Sequence, residues 1–190
     1  MPKPSTRDLW AMKLAGKLPP SKAQAPNVGR ARRRASGVIL GIDPSLRATG
    51  LAVVTLEVSP PKLLASATLK MKANASMPDC LAYIYKSTSE MIEQFSVTSV
   101  ALEQTIFVQN IKTALILGAA RGAAIAAAAT LKKPVFEYPP LRIKQAVVGY
   151  GRASKHQIAH TVKQMLDLGE ALAFDEADAA GVALCHAYSR

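Results

Sequence analysis

The 190-residue sequence predicts an α/β domain with a five-stranded mixed sheet flanked by helices. Three observations carry that expectation: a run of short β-type segments early in the chain, an alternation of helical and β-type segments after it, and an apolar content of 49%, enough for one sizeable core. Neither an internal repeat nor a second core is visible, so residues 37–190 read as one domain.

Each element follows from its residues. Val38-Ile-Leu-Gly-Ile-Asp43 is a short apolar run ending in an acid. The turn Pro44-Ser45 follows, then Thr49-Gly-Leu-Ala-Val-Val-Thr-Leu56, and the two runs make a hairpin. Pro60-Pro61 marks the next turn, after which the polar alternation of Leu63–Lys70 adds a third antiparallel strand. Residues 79–95 place Leu81, Ile84, Tyr85, Thr88, Met91, Ile92 and Phe95 at three- and four-residue steps behind the start signal Pro78-Asp79, the pattern of an amphipathic helix. Thr98–Leu102 forms a fourth strand ending at Glu103, Asn110–Leu131 a long alanine-rich helix, and Pro134–Tyr138 a fifth strand. Ser154–Leu166 is a helix capped by Ser154, and Asp175–Tyr188 a last helix capped by Asp175 itself. Three strands, helix, strand, helix, strand and then helices is the element order of an RNase H-like mixed sheet.

Residues 1–36 differ in kind. They carry nine basic residues (Lys3, Arg7, Lys13, Lys17, Lys22, Arg30, Arg32, Arg33 and Arg34) against Asp8 alone, with five prolines among them. This segment therefore holds +8 of the net charge of +11 and reads as a disordered basic arm. An organelle transit peptide is the alternative reading of the same composition. A pI near 9.9 suits a polyanionic partner, nucleic acid first, better than a neutral metabolite. Cys80 and Cys185 lie in no metal-ligand or disulfide spacing, which fits reduced thiols in a cytoplasmic compartment. Arg121 and several small residues interrupt the most apolar stretch, so no membrane span is expected.

Two acids end apolar strands: Asp43 in Gly41-Ile-Asp-Pro-Ser45, and Glu103 in Val100-Ala-Leu-Glu-Gln104. Ordinary solvated strand ends would account for either one. Asp175 and Asp178 are three apart, which puts both carboxylates on one helical face while Glu176 points elsewhere. Capping and the helix dipole would account for that pair alone. Together the four suggest more, because metal-assisted phosphodiester cleavage needs several hard oxygen ligands from different elements, and a cation relieves the repulsion among converging acids.

At these residues the chain resembles the bacterial RuvC family of Holliday junction resolvases. The likeness runs from about Val38 to Tyr188. It rests on Ile39-Leu-Gly-Ile-Asp-Pro-Ser45 with Thr49-Gly50, Glu103-Gln104 with Asn110, Ala114-Leu-Ile-Leu-Gly-Ala-Ala-Arg-Gly122, Pro134-Val-Phe-Glu-Tyr138, Ile143-Lys-Gln-Ala-Val-Val-Gly149, Lys155 with Gln157, and Asp175-Glu-Ala-Asp178. The resemblance implies an RNase H-like homodimer that nicks four-way junction DNA symmetrically in recombination and repair, in concert with branch-migration proteins. It further implies that Asp43, Glu103, Asp175 and Asp178 bind two catalytic Mg²⁺ ions, with Mn²⁺ able to substitute. Lys144 and Lys155 fall on the family's basic positions near the scissile phosphate, Asn110 and Arg121 on further DNA-contact positions, and Leu115–Ala129 on its dimerisation helix. The departure lies at the wedge that unstacks bases: relatives carry Phe three residues after the catalytic Glu, whereas this chain has Ile106 there and Phe107 next to it.

Two other functions share parts of the pattern. A sugar-kinase or Hsp70-type ATPase also uses an Asp at the end of its first strand with Thr49-Gly50 on the next, but needs two such domains. A catalytically dead junction binder would be expected to lack some of the four acids.

Overall fold

The computed structural model describes residues 36–104 and 110–189. The basic arm up to residue 35, and with it Ile106 and Phe107, lies outside the described residues. The elements run β1 (Val38–Asp43), β2 (Ala48–Thr55), β3 (Lys62–Lys70), α1 (Met77–Gln94), β4 (Ser99–Glu103), α2 (Ile111–Thr130), β5 (Val135–Tyr138), α3 (Pro140–Val148), α4 (Lys155–Met165) and α5 (Phe174–Ser189). The five strands form one mixed sheet in the order β3-β2-β1-β4-β5, with β1, β2 and β3 antiparallel and β1, β4 and β5 parallel.

Side chains alternate across a strand, and here the alternation divides the core in two. Leu40, Ile42, Leu51, Val53, Val100 and Leu102 face α1 and α2; Ile39, Ala52, Val54 and Ala101 face α3, α4 and α5. Both layers are dry, as the near-continuous burial of β1, β2 and β4 requires. By the same period of two, Asp43 follows Ile39 and Gly41 onto the α5 side, and Glu103 follows Ala101 there.

Two expectations need correction, and one helix was not predicted. The first helix starts at Met77 rather than at Pro78-Asp79: Ser76 caps it by accepting from the Asp79 N–H at 3.3 Å, and Pro78 fits inside the first turn, where its missing N–H is not needed. The last helix starts at Phe174, so Asp175 does not cap it. The Ala177 N–H donates to the Ala173 carbonyl at 2.8 Å and closes a turn that already contains Asp175. Helix α3 was not foreseen from the sequence; Pro140 occupies its first turn, a favoured place for proline.

Helix α2 is long and apolar enough to cross a membrane by length and composition. Its buried residues Ala120, Ala124, Ala127 and Ala128 nevertheless pack into the protein core, and Arg121 pairs with Glu137 on β5.

Candidate metal and nucleic-acid site

The sheet brings its two acids to one end because β1 and β4 are parallel neighbours, with Ile42 opposite Leu102. Asp43 is opposite Gly50 on β2, and Glu103 is opposite Tyr138 on β5. The Asp43-Pro44-Ser45 corner is held by buried Thr49, whose hydroxyl donates to the Ser45 carbonyl and accepts from the Ser45 N–H.

Helix α5 supplies the other two acids, and small residues let it approach. A Cβ on Gly41 would overlap the Ala179 carbonyl oxygen and stand 2.8 Å from the Ala183 nitrogen. One on Gly50 would overlap the Asp175 carbonyl. The two glycines, both on the α5 side of the sheet, thus allow the helix to lie against the backbone with Asp175 and Asp178 beside Asp43. Sequence reasoning took these glycines only as parts of motifs. Their position two residues before Asp43 and opposite it across the hairpin was the available signal.

Asp43, Glu103 and Asp178 line a cleft of about 410 Å³ together with Lys144, Lys155, Leu117, Ile143 and Ile158. Burial pushes the Asp43 carboxyl up to about 6, with Asp178 and Asp175 adding to the shift and Lys155 opposing it. Burial likewise pushes Glu103 up to about 7, with Asp43 and Asp178 adding and Lys144 and Lys155 opposing. Asp178 is raised by burial against the pull of Lys155, whose ammonium lies 3.2 Å from its carboxylate. The Lys155 ammonium is in turn held protonated above its ordinary range, chiefly by Asp178. Asp175 belongs to the group through its repulsion of Asp43 and Asp178.

Asp43, Glu103, Asp178 and both lysines therefore line one cleft, while Asp175 is not among its lining residues. Asn110 and Arg121 are not among the cleft residues. Asn110 caps α2 by accepting from the Thr113 N–H at 3.1 Å, and the Arg121 guanidinium donates to Glu137, joining α2 to β5.

Comparison with known proteins gives this fold a family. The family described as crossover junction endodeoxyribonuclease RuvC matches residues 39–186. The chain belongs to the RuvC family. The RuvC of Alkaliphilus oremlandii (strain OhILAs) is 41% identical over 153 residues, 80% of this chain and 93% of that protein. The RuvC of Pseudoalteromonas translucida (strain TAC 125) is 45% identical over 152 residues, 80% of this chain and 87% of that protein. Among solved structures, T. thermophilus RuvC in complex with Holliday junction substrate superposes with a TM-score of 0.76 at 32% identity, over 80% of this chain and 94% of that one. The RuvC family depends on a divalent metal. Among the described residues, no three acidic, His or Cys side chains close on one point as a finished cage. The donor set still fits such an ion: it consists of carboxylate oxygens, which hard divalent cations take, and Asp43, Glu103 and Asp178 are raised above their ordinary range by burial and by neighbouring acids, a repulsion that a cation would relieve.

Proposed function

We propose that this chain is a structure-selective endodeoxyribonuclease that resolves Holliday junctions with paired Mg²⁺-dependent nicks, acting as a homodimer on four-way junction DNA. The observation that carries the reading is the convergence of Asp43 and Glu103, from adjacent parallel strands, with the Asp178 of α5 in one cleft beside Lys144 and Lys155. Asp43, Glu103, Asp175 and Asp178 would hold two Mg²⁺ ions, with Mn²⁺ able to replace them. When bound, such ions lower the pKa of the attacking water and stabilise charge on the leaving oxygen.

The chain's own residues do the rest. Lys144 and Lys155 offer the positive charge that lets a phosphodiester approach four carboxylates, a reading supported by the ion pair of Lys155 with Asp178. The apolar wall of Leu117, Ile143 and Ile158 limits water in the cleft and strengthens the electrostatics within it. Hydrolysis joins a water oxygen to phosphorus, breaks one P–O bond to sugar, and passes a proton to the departing oxygen.

A dimer would present two such clefts to the two sides of a junction. Helix α2 supports this: Ile111 and Leu115 are 76% and 69% exposed, and nothing lies within 4 Å of where a Cβ would stand on Gly118 or Gly122. Buried, free Cys80 and Cys185 suit a cytoplasmic location.

The test is nicking of a synthetic four-way junction in Mg²⁺ by the wild type and by Asp43→Asn and Asp178→Asn. Both variants should lose cleavage and keep junction binding, since backbone contacts do not depend on the ligand lost. Full cleavage by either would remove that carboxylate from the mechanism, and ATP hydrolysis without DNA would favour a phosphotransfer enzyme instead.

A further inference from the structure

Glu176 lies between two of the acids in sequence but does not share their direction. At roughly 100° per residue, it stands about 160° around the helix from Asp178 and about 100° from Asp175. Its carboxylate reaches β3, where it accepts from the Ser66 hydroxyl at 2.5 Å and from the Thr68 hydroxyl at 3.3 Å, one oxygen to each. Ser66 and Thr68 are two apart on the strand, hence on one face, and they stand opposite Ala52 and Gly50 on β2. The first turn of α5 thus crosses β2 where that strand has almost no side chain. Gly50 allows the helix to come close but offers nothing to stop it from rolling. Glu176 reaches over that gap to the sheet's edge strand and is anchored there at two points.

We propose that Glu176 is a positioning residue: its two hydrogen bonds to Ser66 and Thr68 fix the rotation of the first turn of α5 and so aim Asp175 and Asp178 at Asp43. The inference rests on the reading of those acids as metal ligands. Losing the anchor leaves the four carboxylates in place chemically but frees the helix to roll, which weakens their joint grip on a cation. Groups that orient metal ligands in this way are commonly worth roughly 10-fold to 100-fold in metal affinity.

The experiment compares the full chain with Glu176→Ala, Glu176→Gln and the double variant Ser66→Ala/Thr68→Val. Mn²⁺ binding is measured by calorimetry without DNA, the Mg²⁺ concentration for half-maximal nicking on a four-way junction, and junction affinity in EDTA. Glu176→Ala should weaken Mn²⁺ binding and raise the half-saturating Mg²⁺ by roughly 10-fold, with junction affinity in EDTA unchanged. Glu176→Gln keeps the length and can still bond both hydroxyls, so it should recover most of the loss. The double variant should reproduce Glu176→Ala, and adding Glu176→Ala to it should cost nothing more, because one interaction is being removed from either side. Wild-type metal binding in a folded Glu176→Ala protein, or additive losses on the two sides, would overturn the proposal. Should the wild type bind Mn²⁺ without nicking junctions, the nuclease reading fails, while calorimetry still decides whether Glu176 positions the acids.

Discussion

Asp43 and Glu103 carry the cost of the site in the folded protein. Their carboxyls are raised to about 6 and about 7, from 3.8 and 4.5, first by burial and then by the other acids. Over that interval the folded chain holds protons that the unfolded chain has released. Stability of the metal-free protein must therefore be greatest at the acidic end of the interval and fall as pH rises through it toward 7. Glu103→Gln removes one of these groups, so denaturant unfolding in EDTA should show a smaller decline between about pH 4.5 and pH 7.5. The variant should gain about 1–2 kcal/mol at the upper pH, after allowing for water in the cleft. Saturating Mg²⁺ should flatten the wild-type curve and leave the variant little changed. A variant whose decline matches the wild type would mean that burial of Glu103 carries no energetic penalty.

The contact between α5 and the first hairpin turns four separate acids into one site, and it depends on what is missing from the sheet face. Gly50→Ala puts a methyl group where the Asp175 carbonyl stands, and backbone cannot step aside as a flexible side chain can. The substitution should cost about 1–3 kcal/mol in unfolding free energy. Nicking should fall by roughly 10²-fold, because the acid pair is pushed away from Asp43. Gly169→Ala is the control, since nothing lies within 4 Å of its Cβ position, and it should change neither quantity. Equal behaviour of the two variants would remove the close approach from the account. This contact also marks how far the sequence could be read. The strands, four of the five helices and the four acids were legible because each sits on its own periodic segment, with ends moved by at most a few residues. Helix α3, and with it the surroundings of Lys144, was not foreseen from the sequence. The anchoring of Glu176 on Ser66 and Thr68 joins residues 110 and 108 positions apart, a relation that no local pattern encodes. Thr49 and Gly50 were recognisable as a motif, but their tasks, holding the Ser45 corner and admitting a helix, appear only once β2 and α5 meet.

Most of the net charge lies in residues 1–36, +8 of +11, while the folded domain is nearly balanced and has Asp43, Glu103 and Asp178 lining its cleft. Deleting those residues should weaken junction affinity and flatten its dependence on salt, since each lost phosphate contact removes about 0.9 from the slope of log affinity against log salt concentration. Selectivity for four-way over linear DNA should stay with the domain. An unchanged slope would mean that the arm does not touch DNA, and the targeting reading of its composition would gain. The domain itself is assembled from distant parts of the chain. The first hairpin is among the earliest segments to be synthesised, yet its inner face is covered by α5, more than a hundred residues later, and α5 is buried from Ala179 through Ala187 without a break. Contacts of such long range close late in folding, and a growing chain emerges from its N-terminal end. While it is on the ribosome, the chain therefore exposes a basic arm and two of its acids with nothing yet to complete them. On the proposed reading of Asp175 and Asp178, a product that stops before residue 174 should be not a weaker nuclease but an unarmed one, with the capacity to cut DNA arriving only when α5 emerges and docks.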